Sequence, residues 1–239
     1  VLFLLPSCQD TEPNLLADSD QFLSLSPLRD ALIDAPLRSY GISLADFDDD
    51  GNADVTLAAV SGLYIFKGQG DFTFQEVTDV LLAEPPLRDA LEYSYAPVWV
   101  DIDEDGDLDL FVSRRVLPQD SGPGIDALRS PMLLRQDDGV LTNISEGSGL
   151  DVRGSWEAAS FADLTGDGFL DLTLTGGIDA SGQGNGALGY TGSAGSTFRN
   201  RGDGSFELMS GSAACPGPQD AETWGLITLD VDLDGDQDI

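Results

Sequence analysis

The sequence predicts an all-β fold of propeller type, built from four-stranded blades, and three observations lead there. A nine-residue pattern, Asp-x-Asp-x-Asp-Gly-x-x-Asp, occurs four times, beginning at Asp46, Asp101, Asp163 and Asp230. Short segments rich in alternating apolar and β-branched residues flank each copy. The 239 residues include 28 Gly and 12 Pro, the punctuation of many short strands joined by turns. Self-similarity at roughly 60 residues marks a solenoid, a propeller or an array. A second short repeat supports the period: Pro27-Leu-Arg-Asp-Ala-Leu32 returns as Pro86-Leu-Arg-Asp-Ala-Leu91, and reads as a helical turn or connector between units.

Each element follows in order. The strand before the pattern is expected at Ile42–Ala45, Val98–Val100, Ala158–Ala162 and Leu226–Leu229. The strand after it is expected at Val55–Val60, Leu108–Ser113 and Leu170–Thr175. Two more complete each unit: Leu63–Lys67 and Phe72–Val77, Met132–Gln136 and Val140–Ile144, Thr197–Asn200 and Ser205–Met209. The second pair in each unit is joined by a Gly- and Asp-containing turn. Four short strands per unit is the content of a propeller blade. Val116–Ser130 and Gly176–Gly195 read as exposed loops. The repeats span about 39–80, 96–145, 156–210 and a shortened 222–239, within a propeller region of 21–239. That is an incomplete propeller, about three blades plus the first strand of a fourth. Open apolar faces at both ends of such an array predict self-association.

The repeated pattern also speaks to chemistry. Alternate residues of a tight loop can point inward, so positions 1, 3 and 5 can share one hard cation. A glycine at position 6 permits the sharp turn. Calcium takes 6–8 oxygens in a flexible geometry, and magnesium demands a stricter octahedron with retained waters. The expected side-chain ligands are Asp46, Asp48, Asp50 and Asp54 in the first loop, and Asp101, Asp103, Asp105 and Asp109 in the second. The third offers Asp163, Asp167 and Asp171 with Thr165 at position 3, and the fourth Asp230, Asp232, Asp234 and Asp238. Position 7 would add a backbone carbonyl: Asn52, Asp107, Phe169 and Asp236. Up to four calcium ions are therefore expected, with the third loop weakest because Thr165 replaces a carboxylate. An EF-hand would place a bidentate Glu at position 12. Leu57, Val112 and Leu174 stand there instead, each within an apolar strand.

Composition excludes several classes. The formal net charge is -32, with 43 acidic against 11 basic residues, which argues against nucleic acid and against an anionic membrane surface. The chain contains no histidine, which removes Ser-His-Asp triads, Cys-His dyads and imidazole metal sites. Lys67 is its one lysine. The start, Val-Leu-Phe-Leu-Leu-Pro-Ser-Cys8, looks like the end of a signal peptide's apolar core. Leu5-Pro6-Ser7-Cys8 resembles the lipobox of bacterial lipoproteins, so a lipidated Cys8 tethering the chain to a membrane is one expectation. A Cys8–Cys215 disulfide is the other. Residues 1–20 then form a signal remnant and polar tether. The location is secreted or cell-surface, an outer-membrane lipoprotein if Cys8 carries lipid.

These units resemble FG-GAP/VCBS repeats, known from the integrin α-chain propeller and many secreted bacterial proteins. The residues that carry the resemblance are Trp99-Val-Asp-Ile-Asp-Glu-Asp-Gly-Asp-Leu-Asp-Leu-Phe111 and Phe198-Arg-Asn-Arg-Gly-Asp-Gly-Ser-Phe206. The second is similar to a turn in cartilage acidic protein-like relatives. The resemblance covers roughly 39–239 and implies a calcium-bound propeller used for adhesion or protein interaction. The Phe-Gly and Gly-Ala-Pro signatures are largely absent, which leaves the subfamily open. Arg201-Gly202-Asp203 spells an integrin-binding tripeptide but falls where the repeat calls for a Gly-Asp-Gly turn. The function expected is a non-catalytic, calcium-binding, extracellular interaction or adhesion module with a protein or glycan partner. The alternative is the scaffold or carbohydrate-binding portion of a secreted polysaccharide-degrading enzyme.

Overall fold

A computed structural model describes residues 39–71, 73–83, 91–116, 128–176, 195–209, 225–232 and 237. Cys8, Cys215, Trp224, Asp234, Asp236 and Asp238 lie outside the described residues. So do Pro27–Leu32 and all of the second copy of that repeat except Leu91.

The described chain is all-β apart from short helical turns. Its strands are β1 (Ser39–Ala45), β2 (Asp54–Ala59), β3 (Gly62–Gly68), β4 (Phe74–Glu76), β5 (Ser94–Val100), β6 (Asp109–Arg114), β7 (Met132–Asp137), β8 (Val140–Asn143), β9 (Trp156–Ala162), β10 (Asp171–Gly176), β11 (Gly195–Asn200) and β12 (Phe206–Leu208). They form three four-stranded antiparallel sheets, β1 to β4, β5 to β8 and β9 to β12, each with its strands side by side in sequence order. One helical turn, α1 (Thr78–Leu81), follows β4.

All the strands expected in the first three units are present. β5 reaches back to Ser94 rather than Val98, because Pro97 is absorbed at a register irregularity on an edge strand, where its missing N–H is tolerated. The strand expected at Leu226–Leu229 is not formed: within 225–232 only Leu229 makes an isolated bridge. Both expected loops also differ where they are described: Gly176 ends β10 and Gly195 begins β11, both buried. Arg129, within the other segment expected to be exposed, is buried and donates from Nη1 to the Val116 carbonyl at 3.2 Å.

The second strands β2, β6 and β10 are buried along their whole length. The reason is plainest in β6, which serves two cores. Side chains alternate across a strand with period two. Leu110 and Val112 of β6 enter a core with Ala58, Leu63 and Ile65 of the first sheet. Phe111, between them, enters a second core with Trp156, Leu172, Leu174 and Phe198 of the third sheet. The apolar cores thus lie between consecutive sheets, and the first strands β1, β5 and β9 are neighbours in turn.

Polar contacts repeat at these junctions. Gln136 Nε2 donates to the Phe47 carbonyl at 2.9 Å, and Asn200 Nδ2 to the Ile102 carbonyl at 2.8 Å. Both acceptors are position 2 of the preceding unit's Asp loop. Trp99 stacks on Phe47 at 5.1 Å and donates from Nε1 to Thr56 Oγ1 at 2.9 Å, packing the second unit against the first. Phe161, at the equivalent place in β9, meets Phe111 edge-on at 5.5 Å. Leu44 holds that place in β1. Together with Ile42 it is well exposed, because no preceding sheet stands against β1 among the described residues.

This asymmetry sets an expectation for stability. Phe111 is fully buried between two sheets, so Phe111→Ala should cost about 3–5 kcal/mol by urea denaturation. Ile42→Ser, on the exposed face, should change stability by less than about 0.5 kcal/mol.

Candidate metal centre

The Asp loops join the first and second strands of each sheet, and the three described in full share one backbone course. Position 6 is left-handed in each: Gly51 at φ 87°, Gly106 at φ 98° and Gly168 at φ 97°. A side chain there would be strained, which is why glycine recurs. Position 4 is left-handed as well, at Asp49, Glu104 and Gly166, a feature the sequence pattern did not announce. The first Asp caps the turn. Asp46 accepts from the N–H of Asp50 at 3.0 Å and of Gly51 at 2.9 Å. Asp101 accepts from Gly106 at 3.1 Å. Asp163 accepts from Gly166, Asp167 and Gly168 at 2.7–3.1 Å. At position 5, Asp50, Asp105 and Asp167 each accept the N–H two residues on, from Asn52, Asp107 and Phe169.

Position 9 begins the second strand and is buried in all three loops. Its carboxylate spans two backbone donors. Asp54 takes the N–H of Phe47 at 3.0 Å and of Gly68 at 2.8 Å. Asp109 takes Ile102 at 3.0 Å and Gln136 at 2.8 Å. Asp171 takes Leu164 at 3.0 Å and Asn200 at 2.8 Å. The last Asp of the pattern therefore ties its own loop to the third strand, a role beyond closing a cation cage. Burial pushes Asp109 up to about 7, against the pull of its two amide donors, and burial raises Asp54 and Asp103 too.

The loops gather their carboxylates unequally. Oxygens of Asp46, Asp48 and Asp50 lie within 4.8 Å of one another, as do oxygens of Asp101, Asp103 and Asp109. Among the described residues the third loop gathers no such trio. Of the fourth loop only Asp230 and Asp232 are described. In the second loop two buried oxygens, Asp101 Oδ1 and Asp103 Oδ1, have no hydrogen-bond partner among the described residues. An unpartnered carboxylate oxygen out of water is costly unless a cation meets it. The donors are all oxygen, which suits a hard cation, so the residues fit calcium.

Three basic residues stand beside these loops that sequence reasoning passed over. Lys67 Nζ lies between Asp48 and Asp50, 2.9 Å from Asp50 Oδ2, and holds the Asp50 carboxyl below its usual range. Arg199 binds Asp167 Oδ2 through Nε at 3.1 Å and Nη2 at 2.8 Å, and lowers that carboxyl likewise. Arg135 turns to Asp137 instead, with Nε 2.9 Å from Oδ2. A cleft of about 510 Å³ between the first and second loops is lined by Asp46, Asp48, Asp107, Asp138 and Gln136. Arg201-Gly202-Asp203 forms the turn from β11 to β12. Arg201 pairs with Glu207 at 2.7 Å, Gly202 sits against Phe169, and Asp203 Oδ1 accepts the Ser205 N–H at 3.0 Å. The tripeptide is thus bound up in its own turn.

Repeated four-stranded sheets with one Asp loop at the same place in each define an all-β repeat protein. Residues 46–112, from the first Asp loop to the strand after the second, match the FG-GAP-like repeat family. No curated protein sequence matches the chain. Among solved structures there is similarity to one described as the basis of specific recognition of non-reducing terminal N-acetylglucosamine by an Agrocybe aegerita lectin. The identity is 18%, the TM-score 0.42, and the match covers 73% of this chain and 39% of that one.

The position-9 bonds can be separated from any cation. Asp171→Asn keeps one acceptor but turns an amide NH2 toward the other backbone donor. Urea denaturation in excess chelator should therefore show a loss of about 1–3 kcal/mol. No loss under those conditions would mean that the two backbone bonds carry no weight.

Proposed function

We propose that this chain is a calcium-stabilised module of β-propeller type, secreted or held at the cell surface, that binds a protein or glycan partner and carries out no catalysis. The observation that carries the reading is the second loop. Asp101 and Asp103 there each carry a buried oxygen with no hydrogen-bond partner among the described residues, and carboxylate oxygens of Asp101, Asp103 and the buried Asp109 lie within 4.8 Å of one another, in a backbone course that two other loops repeat. Such an array of oxygens suits a calcium ion. The FG-GAP-like repeat at residues 46–112 supports the propeller assignment. The surface location is supported by the apolar start and lipobox-like Leu5–Cys8 segment. The absence of histidine from the whole chain, and the engagement of the clustered Asp residues in their loops, support a binding role over an enzymatic one.

Calcium then contributes to folding. A ligand that binds only the folded state stabilises it by about 2.7 kcal/mol per site at 100 times its dissociation constant. Differential scanning calorimetry should show a lower Tm in excess chelator, restored by calcium more fully than by magnesium. A melting curve indifferent to chelator would overturn the calcium reading. A glycan array and pull-down, run with and without calcium, would name the class of partner, and binding lost with calcium is the expected result.

A further inference from the structure

Basic residues are scarce here, 11 in the whole chain, yet one stands at the same place in each of three units. Lys67, Arg135 and Arg199 each immediately precede the residue whose N–H binds the buried Asp at loop position 9: Gly68, Gln136 and Asn200. The equivalence is therefore set by hydrogen bonds and not by sequence alignment. Lys67 reaches Asp48 and Asp50, positions 3 and 5 of the first loop. Arg199 reaches Asp167, position 5 of the third. Arg135 is drawn aside to Asp137, two residues further along the same strand. The residues at that place in the other units are Gln69 and Arg201, neither of which can hold a cation by charge. The loop whose basic residue is drawn aside is also the one with two buried oxygens lacking partners.

We propose that Lys67 and Arg199 are tethered cations that compete with a divalent ion for the first and third loops. By the same logic Asp137, in holding Arg135 aside, makes the second loop the tight calcium site. The inference rests on the calcium reading and refines it. Carboxylate count alone ranks the first and second loops equal, with four Asp each, and the third last. The tethered charges separate the first from the second. An ammonium shared by two carboxylates neutralises part of the field that attracts calcium and occupies the same oxygens, and affinity in such loops follows ligand charge. The three basic side chains are at least partly exposed, so each effect is that of a surface ion pair.

The test is calorimetric titration of the full chain with calcium chloride, the fourth loop silenced by Asp230→Asn and Asp232→Asn, and folding checked by circular dichroism. One tight site and weaker ones are expected, the tight one abolished by Asp103→Asn. Lys67→Gln should tighten the first loop about threefold to fivefold, and Lys67→Arg should leave it weak. Asp137→Asn should weaken the second loop by a similar factor. Adding Arg135→Gln should restore it, and Arg135→Gln alone should leave the second loop unchanged, whereas a general field effect would make Arg135→Gln alone tighten it. Calcium binding that persists with the same affinities in Lys67→Gln and Asp137→Asn overturns the proposal and leaves the calcium reading intact. Wild-type chain that gives neither calcium heat nor calcium-dependent stabilisation overturns both.

Discussion

The rest of the structure depends on a buried carboxylate shared between two backbone amides. In each described unit the last Asp of the loop accepts one N–H from position 2 of its own loop and one from the third strand of its sheet. A buried charge is tolerated only when its lone pairs are met, and charge-assisted bonds to backbone N–H are among the stronger hydrogen bonds. The bond to position 2 holds the loop against the start of the second strand. The bond to the third strand sets the loop's height above the sheet. The anchor is common to all three loops, while among the described residues only the first two gather a trio of carboxylates.

The same anchor organises the contacts between sheets. The residue whose N–H reaches the carboxylate is Gln136 in the second sheet and Asn200 in the third. Each sends its side-chain amide back to the position-2 carbonyl of the preceding loop. In the first sheet the equivalent residue is Gly68. A Cβ there would come within 2.3 Å of the Ala53 carbonyl oxygen, and no preceding loop stands within reach among the described residues. One loop residue, Phe47, therefore gives its N–H to Asp54, its carbonyl to Gln136 and its ring to Trp99. Loop geometry and inter-sheet packing are coupled through it. Distortion of one loop by an ion or a substitution would be felt in the neighbouring sheet.

Much of this was legible in the residues. The four Asp patterns, the twelve strands of the first three units and the turn that absorbs Arg201-Gly202-Asp203 follow from local chemistry: alternation, glycine at a left-handed position, and Asp-Gly turns. Where the reading went astray, a non-local partner decided. The strand expected at Leu226–Leu229 has the right residues but makes only an isolated bridge. Arg129 lies in a Gly- and Ser-containing segment expected to be an exposed loop, whereas it is buried and bonds the Val116 carbonyl. The strand expected at Val98–Val100 begins earlier, at Ser94, because an edge position with a register shift accepts Pro97.

By itself the sequence determined that the protein is a β repeat with oxygen-lined loops and little basic charge, because periodicity and residue type are local properties. It also determined which residues could meet a cation. Only the tertiary structure decided how the carboxylates divide their work: Asp109 in the anchor, Asp101 and Asp103 with oxygens to spare, Asp48 and Asp50 already facing Lys67. That division depends on where the third strand of each sheet brings its backbone N–H and its basic side chain. Strand pairing sets that placement across 14 to 29 residues of chain, a distance at which residue type carries no signal.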